Sequence, residues 1–519
     1  MLNKIPSETL LHIIPYFTPH DYTRLVLVCK TLYNVFIPHL YEHVSIPLNE
    51  YDYLGTAYGM MPESHLPVRR FTQVMITNPT LASLIRSLEL YPSDCKEGKW
   101  EQLPSLETLD EEQYRHFMLP HGESKRNHRR KFYAWRRDLK KFSERTDFHR
   151  ALHYYEDAWL ALLLVQLWNL EKLAVALPEE VWIGGYEDGP VPPRRSPHFE
   201  RVIEWASHPE LEILTKLRHI SLTNGPCIWE SELSVDAVPL TRLLPFLRIP
   251  SLRKLYVSNP CDLSPLSIPN GLSTALLTHL DFECPDTALP SLPHLLNRCS
   301  ALESFTLQQQ GWHEYESQYW QDLPQLYQSL QSSRFSLRHL SLTFSDWNVR
   351  QDAKTPTPVF FGSLSNFLRL ETVCMRWGNL LQFTEHGSMK PVAPLWQVLP
   401  CSLSHLFIDH CLLQCSSALY TELKSLITHC PTHVPSLRKL YLRFASREQD
   451  PSTSADGVRA KILTPDPTTR DRLLALELDF EPLKVDFRIF QGDAIVPFGQ
   501  EFYIRKKWPC GYLGQLSGL

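Results

Sequence analysis

Glycine is scarce in this chain, with nineteen in 519 residues. A loop that cradles phosphate needs several glycines close together so that backbone N–H groups can reach the anion, and no such loop occurs. His-Glu-x-x-His and Gly-x-Ser-x-Gly are absent as well. No intrinsic catalytic activity and no cofactor are therefore expected. Long apolar runs are also lacking: the longest, Ala158 to Val165, falls far short of the roughly 20 residues a membrane helix requires. The twelve cysteines follow no framework spacing and the N-terminus does not read as a signal peptide, so reduced thiols in the cytoplasm or nucleus are expected. Neither sign of charge dominates, since 52 Lys and Arg face 57 Asp and Glu for a net charge of -5. That balance implies no general affinity for nucleic acid, and no membrane partner is expected either.

What is present is a globular composition, 43% hydrophobic and 21% charged, long enough to bury a large core. The first forty residues carry the densest local signals. Pro6 suits a first helical turn because its missing N–H would have no partner there, and Glu8 favours the positive end of the helix dipole. Leu10, Ile13, Ile14 and Phe17 recur at helical spacing, with Pro15 inside the run. Thr18-Pro19-His20-Asp21 then supplies a second start signal, with Thr18 as N-cap and Asp21 placed to return the cap. Tyr22, Leu25, Val26, Cys29, Leu32 or Tyr33, and Phe36 read as the apolar stripe of the helix that follows. Such short amphipathic helices cannot bury their faces alone and need a partner or the next domain.

The order Ile5, Pro6, Glu8, Leu10, Ile13, Phe17, Pro19, Asp21, Leu25 and Val28-Cys29-Lys30 resembles the F-box, over about residues 2 to 42. Leu32 and Tyr41 depart from it where tryptophan is usual. The resemblance implies docking to a Skp-type linker and, through it, to a cullin scaffold. It assigns the linker contacts to Ile5, Pro6, Leu10, Ile13, Phe17, Leu25, Val28, Cys29 and Leu32. The bland alternative is a helical cap on the next domain.

Downstream, a cassette of the form Leu-x-x-Leu-x-Leu recurs from Ile85 to Leu478, often preceded by Ser-Leu or Asn-Leu and a charged or His residue. Ser251-Leu252-Arg253-Lys254-Leu255-Tyr256-Val257 and Ser436-Leu437-Arg438-Lys439-Leu440-Tyr441-Leu442 are nearly identical copies. Others start at Leu170, Leu217, Leu277, Leu302, Leu337, Leu370, Leu403 and Leu473. From Leu217 on the starts are 25 to 36 residues apart, the regularity of a stacked array. The last two apolar residues of each cassette lie two apart, as on a strand with one buried face. Helical runs such as Leu160–Leu167, Leu243–Leu247, Leu292–Leu296 and Leu423–Ile427 precede several copies.

Strand plus helix at this period resembles the leucine-rich repeat solenoid, in irregular units similar to the F-box leucine-rich repeat proteins of fungi. The fold class is thus α/β, a short α-helical F-box followed by a solenoid with parallel inner strands and outer helices. The expected divisions are the F-box at 1–45, a linker with a first degenerate repeat at 46–120 and a basic helical insert at 121–158, followed by the solenoid at 159–480 and a cap or tail at 481–519. The side chains between the buried leucines should line the inner face. Their central column reads Glu89, Ala174, Ser221, Tyr256, Asp281, Thr306, Ser341, Cys374, Phe407, Tyr441 and Glu477, beside a second column with Glu283, Arg376, Asp409, Arg443 and Asp479. Aromatic and arginine residues dominate interface hot spots, which selects Tyr256, Arg376, Phe407, Tyr441 and Arg443 for binding a protein target.

His219, His279, His339 and His405 share one cassette position but never in adjacent repeats, so they lie too far apart to share a zinc ion. His410, Cys411 and Cys415 form a partial ligand set, but Cys411 is expected to bond loop backbone, and no metal is expected. Between residues 121 and 150 eleven basic residues face four acidic ones, with Phe132, Trp135, Leu139 and Phe142 at helical spacing. This segment reads as an amphipathic helix packed on the solenoid, with a nuclear-import signal or a pocket for phosphorylated substrate as alternatives. Stretches 184–197, 351–358 and 447–470 read as excursions from the stack, and Ser196, Thr355, Thr357 and Thr464 are candidate phosphosites before proline. The functional expectation is a substrate-recognition adaptor of an SCF-type ubiquitin ligase. A repeat scaffold or regulatory binder not coupled to ubiquitination is the alternative.

Overall fold

The computed structural model describes residues 9–10, 12, 14–48, 67–92, 156–177, 197–208, 211–224, 238–261, 276–283, 289–309, 323–344, 359–383, 391–411, 416–444 and 467–491. The basic insert at 121–150, the four candidate phosphosites, and Ile5, Pro6, Ile13 and Cys415 lie outside the described residues. Two compact units divide the chain, one from 1–236, 245–252 and 507–519, the other from 237–244 and 253–506.

The first unit opens with helices. Helix Pro19–Leu25 starts at Thr18 in a full capping box. The Thr18 hydroxyl donates to Asp21 Oδ2 at 2.6 Å, the Thr18 N–H donates to the same oxygen at 2.9 Å, and the Asp21 N–H returns to Thr18 Oγ1 at 3.3 Å. Those hydrogen bonds hold the Asp21 carboxyl below its ordinary range. Pro15 falls in a 3-10 turn, Ile14–Tyr16, which accommodates it. The single stripe expected from Tyr22 to Phe36 is divided instead: Val26 to Val28 turn, and a second helix, Lys30–Glu42, restarts after Cys29 in extended backbone. The same unit contains β1 (His43–Leu48), β2 (Ser87–Pro92), β3 (Lys172–Leu177) and β4 (His219–Asn224), parallel and in chain order. Strand β1 enters from Tyr41, which takes the place of the first leucine in Tyr41-x-x-Val44-x-Ile46.

In the second unit β6 (Lys254–Ser258), β8 (His279–Glu283), β9 (Ser304–Gln309), β10 (His339–Phe344), β11 (Thr372–Arg376), β12 (His405–Cys411), β13 (Lys439–Phe444) and β14 (Asp486–Gln491) pair in parallel and in that order. Val238–Pro239 (β5) and Pro260–Cys261 (β7) make a separate parallel pair. Every cassette from Leu252 to Leu437 becomes a strand, with alternate apolar side chains buried, as Leu255 and Val257 are on β6. The expected runs at Leu292–Leu296 and Leu423–Ile427 are helical, within Leu292–Leu296 and Ser416–His433.

The repeat has a polar reason as well as an apolar one. For β8 to β13 in turn, the carbonyl just before the preceding strand accepts two N–H groups from the strand's entrance, while β14 sends only the Asp486 N–H to Arg438 O. Arg253 O takes Thr278 and His279, Thr278 O takes Glu303 and Ser304, and the series continues through Glu303, Arg338, Glu371 and Ser404 at 2.7–3.0 Å. The serine of the Ser-Leu pair donates to the carbonyl of the preceding cassette's first leucine, Ser336 to Leu302 at 2.8 Å and Ser402 to Leu370 at 2.9 Å. In the first unit Ser251 does the same to Leu217 at 2.7 Å.

The copy at Leu473 is a correction. Residues Pro467–Phe480 are helical, so Glu477 and Asp479 do not belong to the strand columns, and Asp479 instead pairs with Lys424 at 2.6 Å. Leu473, Leu476 and Phe480 are buried at helical spacing, while Leu478, which a strand would bury, is 72% exposed. The strand that follows β13 is β14, beyond residue 480. Among the described residues no helix is long and apolar enough to cross a membrane, and no disulfide links Cys29, Cys261, Cys299, Cys374, Cys401, Cys411 or Cys430.

Candidate functional site

The helical module at the start of the first unit is built around Leu10, Leu32 and Phe36, none more than 1% exposed, with Ile14, Phe17, Tyr22, Leu25, Val26, Cys29 and Val35 packed against them. Tyr22 stacks on Phe36 with centroids 5.9 Å apart and donates its hydroxyl to Ile14 O at 2.7 Å, which ties the 3-10 turn to both helices. Leu10 and Leu32, expected as linker contacts, are therefore interior. Phe17, Leu25 and Cys29 are half-buried and Val28 is exposed. The turn that splits the helices also presents Leu27, 83% exposed, which the assumption of one continuous helix had hidden.

The strand face of the second unit follows the expected column. Tyr256, Asp281, Thr306, Ser341, Cys374, Phe407 and Tyr441 are register partners in succession, and Arg488 on β14 takes the place expected for Glu477. Its chemistry differs from an open row of hot spots. Cys374, Phe407 and Tyr441 are 3%, 4% and 9% exposed and form a second apolar cluster with Phe490. Phe490 meets Tyr441 edge-on at 5.5 Å, and the Arg488 guanidinium lies 5.8 Å from the Tyr441 ring. The Tyr441 hydroxyl donates to Asp486 Oδ2 at 2.7 Å, and burial together with that carboxylate raises its pKa. Asp486 is held below its ordinary value first by the Arg488 hydrogen bond at 2.9 Å and then by Tyr441.

Arg443 is committed to Asp409. Its Nε and Nη2 donate to Asp409 Oδ1 and Oδ2 at 2.6 and 2.8 Å, a bidentate fork with a fully buried carboxylate. The register shifts between Ile408 and Cys411, so β12 carries an extra residue opposite Arg443. Such a bulge re-aims a side chain, which accounts for an aspartate pointing along its neighbour and not away from it. Burial, and secondarily Asp409, push the Cys374 thiol well up, leaving it an inert filler. At the other end of the row Tyr256 donates to the buried Glu283. Arg376 is half-exposed. The face is thus a pre-assembled surface in which most candidates are held by neighbouring side chains.

Asp486, Arg488 and Phe490 escaped the sequence reading because no leucine opens their strand. Lys484 occupies that place in left-handed backbone. The alternation Val485-x-Phe487-x-Ile489 was the available signal. The Cys411 thiol donates to Ile408 O at 3.6 Å, within β12 and not to loop backbone as expected. The side chain of His410 is not among those described. No cluster of three or more His, Cys, Asp or Glu side chains suited to a metal occurs among the described residues.

Compared with protein families, residues 144–456, more than half of the chain, match a leucine-rich repeat domain, and residues 2–47 match an F-box-like domain. No curated protein matches the chain.

Proposed function

The chain belongs to the leucine-rich repeat family, and on that premise we propose that it is the substrate-recognition adaptor of a cullin-RING ubiquitin ligase. One observation carries the reading: an F-box-like domain at 2–47 shares the chain with the repeats at 144–456. The helical module would hold a Skp-type linker and the strand face of the second unit would hold a protein target. Ubiquitin transfer would be done by other subunits, the adaptor raising the local concentration of target lysines near the charged conjugating enzyme. The adaptor would work in the cytoplasm, the nucleus or both.

On this reading the linker would meet Leu27 and Val28, which are exposed, with Phe17, Leu25 and Cys29 behind them and Leu10 and Leu32 supporting from inside. On the strand face Arg376 offers a half-exposed donor, while Tyr256, Phe407, Tyr441 and Arg443 give the surface its shape.

Co-purification tests the proposal. The wild-type chain should recover the linker and cullin. Leu27→Ser with Val28→Ser should lose them at unchanged thermal stability, because both side chains already face water. Wild-type preparations that bring down targets but never the linker would sink the adaptor reading and leave a repeat scaffold.

A further inference from the structure

Helix Ser416–His433 carries two histidines one turn apart, His429 and His433, and both lie against the indole of Trp396. His429 stacks on it at 4.3 Å and 10°, and His433 meets it at 4.2 Å and 61°. The imidazole centroids are 5.9 Å apart.

Their hydrogen bonds fix both tautomers. His429 Nδ1 lies 2.8 Å from Ser425 O, and a carbonyl only accepts, so Nδ1 carries the proton. The Thr432 hydroxyl spends its one hydrogen on His429 O at 3.0 Å. Its oxygen can therefore only accept from His433 Nδ1, at 2.8 Å. Each neutral ring is thus an Nδ1–H tautomer with a bare Nε2 lone pair, and neither Nε2 makes a hydrogen bond to any described residue. An Nδ1–H donated to a fixed oxygen with Nε2 open is how metal-binding histidines are oriented.

We propose that His429 and His433 form a two-imidazole site for a divalent transition cation of the zinc and nickel class, with water filling the other positions. Residues four apart on a helix share a face. A metal about 2.1 Å from each Nε2 sits roughly 3.2 Å from each ring centre, so rings about 5.2 Å apart share it at a tetrahedral angle. The centroids at 5.9 Å must close by a small side-chain rotation to reach that spacing. Trp396 restricts both rings before the metal arrives, which lowers the ordering cost of binding. The ligands must be neutral, so protons compete with the metal for them. Glu422 lies on the same helix but is spent on the Leu395 N–H at 2.8 Å. Cys430 is buried and its thiol donates to Val434 O, so it takes no part.

The test is equilibrium dialysis of the full, untagged chain against Ni²⁺ and, separately, Zn²⁺ at pH 7.5. Wild type should hold one equivalent more than His433→Gln, a change at an exposed position, and acidification should release that equivalent. His433→Cys, which restores a ligand, should recover it for Zn²⁺. An equal number of equivalents in wild type and His433→Gln overturns the proposal.

Discussion

A single guanidinium decides whether the far end of the second unit can hold its shape. Asp409 is fully buried and its charge is answered by both donors of Arg443. Pairing two buried charges gains little over apolar filling, but breaking such a pair by removing one partner costs about 3–5 kcal/mol. Arg443→Met should therefore lower the thermal midpoint sharply. Adding Asp409→Asn should recover part of the loss, because it removes the buried charge that Arg443 answers; the comparison is made by thermal unfolding of the three chains. A binding-defective Arg443 variant read without this control would be mistaken for a lost target contact. The serines before the leucines act at the same scale. Ser251, Ser336 and Ser402 each tie one repeat to the next through a bond worth about 1 kcal/mol, a physical reason for Ser-Leu to recur in the cassette.

Elements that repeat were legible; elements that occur once were not. Leucine spacing located β2, β3, β4, β6 and β8 to β13, because burying one face of a strand demands apolar residues two apart. The same spacing misled at Leu473, since Leu-x-x-Leu also marks one face of a helix. Two substitutions separate these readings in the folded protein. Leu478→Lys should leave the unfolding midpoint unchanged, and Leu476→Ala should cost about 2–5 kcal/mol as a buried cavity. Strands β1 and β14 hid because Tyr41 and Lys484 stand where the opening leucine should be. In the helical module the capping box at Thr18 was plain from four residues. The break at Val26–Val28 was not, because no glycine or proline marks it, and with it went the exposure of Leu27. As for the candidate site, the sequence placed the column in register but could not tell which members face water. That depends on partners such as Asp486 and Phe490, contributed by a strand no pattern had disclosed.

For the molecule as a whole, a stack depends on how its ends are finished. Strand β14 completes the Tyr441 cluster and covers the hydrogen-bonding edge of β13. A chain ending at residue 480 should lose both, so its soluble monomer fraction, measured by gel filtration, should fall as the open edge recruits other chains. The carbonyl ladder at the strand entrances has a different reach. Because each strand from β8 to β13 is set by two hydrogen bonds at its entrance, its phase does not depend on how much chain was traversed to get there. Length becomes a free variable: doubling a connection costs only about 0.6 kcal/mol of closure entropy. The spacing of 25 to 36 residues between cassettes is then not decay of an ideal repeat but room for inserted sequence to diversify, while the strand face keeps its register.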